Sequence, residues 1–321
     1  MNVMIDANSR NIKYPSQLGI FLGLTGAGLI ISVLLSLVIW LMMEGTSFPH
    51  TAEEILQPKY YNVNMVLQAV STFFIFWIPA YFFALICYRR PATYLGYKFN
   101  FNYQQILLLL GIMVLTFPVS AGLADLNKIL PIPEHWALKF KAAEAAREAQ
   151  EAALIQINSF PRYILSLFII AFLPALFEET FFRGGMQNLL SKWFRSPWLA
   201  IVLTSIIFSI IHLSYYGFIV RFGLGVILGL IFYYSGSLWL SILFHFLFNG
   251  LQVTVLYFTN SGLKDRKQVE PDFPLLAVIS AVVLLLYLFT LFKRISVKQT
   301  ARNLTNKPPG DDPNQWLNAA T

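Results

Sequence analysis

The 321-residue chain is 57% hydrophobic and only 12% charged, with 29 Phe, 15 Tyr and 7 Trp. That composition excludes an ordinary soluble domain and implies several membrane-spanning helices. The formal net charge of +7 reads as a topology signal rather than a nucleic-acid-binding one, and a single cysteine, Cys87, excludes an intrachain disulfide.

In chain order, apolar runs of about 20 residues, long enough to cross a bilayer as helix, lie near 19–43, 64–88, 105–123, 161–182, 198–216, 218–234, 236–258 and 273–292. The first has no small-residue cleavage pattern after it and reads as a retained span. With a cytoplasmic amino terminus, the inner segments collect Arg10 and Lys13, then Arg89, Arg90 and Lys98, then Lys192 and Arg195, and finally Lys293, Arg294, Lys298, Arg302 and Lys307. The outer loops hold Lys59, Lys264, Arg266 and Lys267 among the acids Glu44, Glu53, Glu54, Asp265, Glu270 and Asp272. This asymmetry predicts eight spans with both termini cytoplasmic.

The connection over 124–160 is longer. Its second half is rich in Ala and Glu, and Glu144–Arg147 at i,i+3 with Arg147–Glu151 at i,i+4 supports a helix there. It reads as a solvated or interfacial insert rather than a substrate gate. The expected fold is an all-α polytopic membrane protein with a buried site. N-terminal transmembrane helices occupy 1–123, the extramembrane insert 124–160, a core 161–258, a last span 259–298 and a disordered polar tail 299–321.

Ionisable residues within the spans are few: Glu178, Glu179, Arg183, His212, Arg221 and His245, with Asn249 as a polar neighbour. Each charge costs about 2.5–3.5 kcal/mol at a helix centre on insertion scales, so their gathering into the fourth to seventh spans points to one buried site. A turn at Arg195-Ser196-Pro197 suits an antiparallel hairpin. Residues across it lie at equal depth when their numbers add to about 392, and Glu178 and His212 add to 390. Spacing of i,i+4 puts Phe208 with His212, His245 with Asn249, and Glu179 with Arg183 on shared faces. Glu179–Arg183 reads as a structural pair, with Glu178 about 100° round the helix and left for chemistry. Arg221, at an expected outer boundary, reads as a snorkelling side chain, and Gly225 and Gly229 as a small-xxx-small packing pattern.

A Glu and a His in a shielded cavity can activate water, as base or as metal ligands, and a second His with an Asn one turn on can donate to an oxyanion. These parts suit amide hydrolysis. No serine or cysteine in the spans has an obvious base partner for an acyl-enzyme route.

The motifs Glu178-Glu179-x-x-x-Arg183, Phe208-x-x-x-His212 and His245-x-x-x-Asn249 resemble, in that order, the signature of the CAAX protease and bacteriocin-processing family of intramembrane endopeptidases, to which the type II CAAX prenyl endopeptidase belongs. The resemblance covers roughly 160–255. It implies a glutamate-dependent membrane protease in which Glu178 activates water and His212 assists it. His245 and Asn249 would line the oxyanion pocket, with Glu179, Arg183 and Phe208 supporting the site. Zinc held by His212, His245 and Glu178 and a metal-free water suit the same residues equally. Expected partners are the lipid bilayer and a peptide or lipidated protein, with no nucleic acid. Two rivals are a proton-coupled transporter, which predicts internal repeats not found here, and a proteolytically silent scaffold or bacteriocin-immunity protein.

Overall fold

The computed structural model describes residues 8–45, 52–154, 157–259 and 273–305. Within them the chain is helical, with one isolated antiparallel bridge between Ser9 and Tyr88. Seven helices are long and apolar enough to cross a membrane: α1 (Tyr14–Glu44), α2 (Pro58–Cys87), α4 (Tyr103–Lys128), α6 (Phe160–Phe194), α8 (Phe218–Ser235), α9 (Leu238–Thr259) and α10 (Leu275–Thr305). Among the described residues, four others connect them: the single turn Ala52–Ile55, α3 (Pro91–Leu95), the insert helix α5 (Glu134–Leu154) and α7 (Pro197–Ile210).

The expectation of eight full spans is therefore corrected at the fifth. Helix α7 has 14 residues, which reach about 21 Å where the hydrocarbon core needs ~30 Å. The remainder of that apolar run, 211–217, is a turn and loop. Helix α10 also continues to Thr305, into the stretch expected as a disordered tail. The expected outer-loop charges Lys264, Asp265, Arg266, Lys267, Glu270 and Asp272, and Lys307 in the tail, lie outside the described residues.

Local chemistry sets the helix ends. Proline opens α3 and α7, where its missing N–H has no partner to lose. Asn102 and Gln105 cap α4 reciprocally, each side chain accepting the other's backbone N–H at 3.0 Å. Gln105 then donates to Ser296 Oγ at 2.8 Å, fastening α4 to α10. The α6–α7 turn is the expected one, with Arg195 left-handed (φ 54°) and Ser196 Oγ accepting from Leu199 N–H.

Two long helices contain π-helical turns just where proline follows: Phe73–Trp77 before Pro79 and Leu167–Phe172 before Pro174. Proline removes a hydrogen bond and crowds the carbonyl four residues back, and a widened turn relieves both. A third π segment, Thr180–Gln187, lacks proline and contains Arg183. Its Gly184 and Gly185 let α6 close onto the backbone of Leu95 and the ring of Phe21, where a Cβ would stand 2.9 Å and 2.7 Å from them.

The two largest apolar clusters divide the helices between them. One joins α1, α2, α3, α6 and α7 through Phe21, Phe83, Leu95, Phe182 and Phe208. The other joins α4, α8, α9 and α10 through Leu109, Leu228, Phe244 and Phe292. Arg183 of α6 and His245 of α9 both approach Phe208 of the first cluster.

Candidate active site

Arg183 and Glu179 are fully buried, one helical turn apart on α6, and Arg183 Nη1 donates to Glu179 Oε1 at 2.9 Å. The expected structural pair is present. Arg183 also donates from Nη2 to the Gly225 carbonyl of α8 at 3.3 Å and stacks its guanidinium 4.9 Å from the Phe208 ring centroid. One turn further, Gln187 Nε2 repeats the pattern on the Gly229 carbonyl at 3.1 Å. Gly225 and Gly229 thus do more than pack against Ser205 and Ile201 of α7. Their bare backbones allow the approach that brings two α8 carbonyls within reach of α6 side chains.

Sequence reasoning missed the partner of His245. This ring, 3% exposed, sits with Nδ1 2.9 Å from Glu179 Oε1. A carboxylate only accepts, so Nδ1 carries the proton and Nε2 is the atom left facing away. Glu179 therefore joins α6 to α9 as well as pairing with Arg183, a contact between helices distant in sequence that spacing along one helix cannot reveal.

The hairpin register emerges as expected. Phe182 meets Phe208 edge to face with centroids 5.2 Å apart, and their numbers also add to 390. His212, however, is not on the helix. It lies two residues beyond Ile210, in a turn whose backbone bond runs from His212 N–H to Ser209 O at 3.3 Å. Its ring folds back so that Nδ1 donates to the Phe208 carbonyl at 2.7 Å, satisfying an acceptor at the helix end. Nε2 is again the remaining ring nitrogen. Leu213 follows in the left-handed region (φ 50°), a conformation costing a non-glycine residue about 1–2 kcal/mol.

Glu178 is half-buried on α6, within Coulombic range of His245, Glu179, Arg183 and Arg221. His212 is likewise within range of Arg221, His245 and Arg147. Asn249 follows His245 by one turn of α9 and is half-buried. Arg221, expected to snorkel outward, instead turns in. Its Nη1 is buried and lies against Gly217, leaving no room there for a side chain.

Both imidazoles have Nδ1 occupied and Nε2 remaining, which suits a metal ligand or a water partner alike. Among the described residues, though, no three His, Cys, Asp or Glu side chains stand close enough together to hold an ion. As arranged, Glu178, His212 and His245 do not converge closely enough to hold a zinc ion.

With the site's geometry in place, the likeness to known proteins has a location. Residues 160–251 match the family model described as Type II CAAX prenyl endopeptidase Rce1-like. The family likeness is confined to this segment. It contains all three motifs, from α6 to the middle of α9, and excludes the first four helices and the insert. An Escherichia coli protein described as an uncharacterized 24.3 kDa protein is 34% identical over 109 residues, 33% of this chain and 50% of that protein; the chain thus spans about half the length of that relative. No solved structure matches.

Proposed function

We propose that the chain is an intramembrane endopeptidase that hydrolyses a peptide bond of a membrane-associated protein with water activated by Glu178. The supporting observation is that the His212 and His245 rings, from separate segments, both meet the Phe208 ring edge to face, with centroids 4.8 Å and 6.3 Å away, while His245 bonds Glu179, the neighbour of Glu178 on α6. The Rce1-like segment makes a C-terminal peptide carrying a prenylated cysteine the substrate class of choice.

In this mechanism the Glu178 carboxylate takes a proton from water as the water oxygen bonds to the scissile carbonyl carbon. His212 accepts a hydrogen bond from the same water at Nε2, because its Nδ1–H is committed to Phe208. The Asn249 amide supplies N–H donors to the developing oxyanion. His245 lines the same pocket beside it, its ring held in place by Glu179. Collapse of the intermediate breaks the C–N bond, and the proton held by Glu178 passes to the leaving amine. Arg183 keeps Glu179 in place. With α7 counted as a short pass, both chain termini fall on the cytoplasmic side, a reading that the basic residues at the Arg89–Lys192 end of the bundle support.

The test is cleavage of prenylated and unprenylated peptides by the full chain in liposomes. Glu178→Gln and His212→Ala each lower kcat by about 10²–10⁴-fold while a chelator leaves the wild type unchanged. Equal cleavage by wild type and Glu178→Gln would overturn the assignment, and loss of cleavage on chelation would overturn the metal-free route.

A further inference from the structure

The insert helix α5 is the one long helix outside the apolar bundle, and its charged pairs explain why it folds. Arg147 bonds Glu144 and Glu151 along one face. Those pairs leave a question: the second Glu144 oxygen is turned to the bundle, where it accepts from Ser214 Oγ at 2.7 Å. Ser214 belongs to the 211–217 loop, two residues after His212. The same hydroxyl accepts from the Gly217 N–H at 2.9 Å, so one α5 carboxylate orients the group that closes the loop.

Three further contacts fasten this loop from outside. Phe140 of α5 stacks on Tyr215 with centroids 4.6 Å apart and planes 5° from parallel. At the end of α4, Asn127 donates to the Tyr215 carbonyl at 3.0 Å and accepts from the Ile219 N–H at 3.1 Å. On the inner side, Ser209 Oγ donates to the Phe218 carbonyl at 2.6 Å. The loop needs such fastening. It follows a helix too short to cross the bilayer, holds a left-handed Leu213, and presents Leu213 79% exposed. The remote end of α5 is anchored too, with Leu154 packed against Tyr61, Met65 and Ile169.

We propose that α5 is a clamp that positions His212, with Glu144 and Phe140 as positioning residues that act on the reaction through the 211–217 loop. The clamp presupposes the proposed hydrolytic role of His212, but its effect on the ring is measurable without any substrate. A clamp of this kind sets the orientation of Nε2 toward the water, so its loss lowers turnover and leaves substrate binding nearly intact.

The experiment uses the full chain in nanodiscs with 15N-labelled histidine. The sequence holds four histidines, and His212→Ala identifies the His212 ring signals by subtraction. Glu144→Ala and Phe140→Ala are expected to shift or broaden the His212 signals and spare those of His245, lowering kcat about tenfold with KM unchanged. Glu144→Gln keeps an acceptor for Ser214 and restores most of both readouts. Glu148→Ala removes an exposed charge from the same helix and changes neither. Should Glu144→Ala unfold the chain, Phe140→Leu and Ser214→Ala carry the same comparison. Unmoved His212 signals in these variants would overturn the clamp. So would an equal loss in Glu148→Ala. Moved signals together with full activity of Glu178→Gln would instead overturn the hydrolytic reading and leave the clamp standing.

Discussion

The two histidines of the site are held by opposite means. His245 stands in the interior, fixed by a carboxylate that is fixed in turn by a buried arginine. His212 stands on a half-buried turn, fixed by its own helix end and by a loop fastened to α4 and α5. The first arrangement depends on low-dielectric electrostatics, where removing one partner strands a charge. The second depends on hydrogen bonds and stacking near water, where each contact is weak and replaceable. A reaction needing both rings thus has one rigid support and one adjustable one.

The sharpest way to break that contrast is at its rigid pole. Arg183→Met leaves Glu179 buried against His245 alone, and the expected loss is about 3–5 kcal/mol, read as a fall in thermal unfolding temperature of the full chain in detergent. The double variant Arg183→Met with Glu179→Gln removes both charges and should recover a large part of that loss. Glu179 Oε2 and Arg183 Nε have no hydrogen-bond partner among the described residues, so the wild-type pair is not fully compensated. A single variant within about 1 kcal/mol of wild type would refute this account of His245.

A smaller effect is expected at Gly225, where an added Cβ would stand 2.9 Å from Ser205 Cβ and 3.1 Å from its Cα. Gly225→Ala must push α8 from α7 and stretch the Arg183–carbonyl bond, costing about 1–3 kcal/mol in the same melt. The variant Ser205→Gly opens that space and should restore stability when combined with it.

The weakest effect is at the adjustable pole and depends on pH. Burial would push the Glu144 carboxyl up, but the hydrogen bonds from Arg147 and Ser214 outweigh it and hold it below its ordinary value of 4.5. A carboxyl lowered on folding stabilises the folded state above its unfolded value and loses that contribution as pH falls through the lowered one. Protection of the 211–217 amides in hydrogen exchange, corrected for intrinsic rates, should therefore hold steady down to about pH 5 and decline only below 4.5. In Glu144→Gln the decline should vanish. A decline at neutral pH would mean that another group controls the loop.

Much of this was legible in the sequence, and the reasons differ by residue. The seven long helices follow from uninterrupted apolar length, because a bilayer admits backbone only with its own hydrogen bonds made. Glu179–Arg183 and the Glu144–Arg147–Glu151 chain follow from helical spacing alone. The hairpin register was readable because Pro197 marks the turn between two continuous helices. The run 198–216 was misread as a full span because apolar composition does not distinguish a helix from a helix followed by a loop, and Gly217 alone marks the end. The Glu179–His245 contact and the docking of Glu144 on Ser214 are tertiary. They join residues 66 and 70 positions apart, and no local periodicity encodes them.

The brevity of α7 has a consequence for solvent. A helix that stops about a third short of bilayer thickness lowers the water boundary locally, so the turn bearing His212 lies at the floor of a depression rather than at the rim. Helix α5 contacts the loop that follows this turn through Glu144 and Phe140. The proposed hydrolysis would need water at that depth, and a helix short by about a turn and a half leaves a route for it.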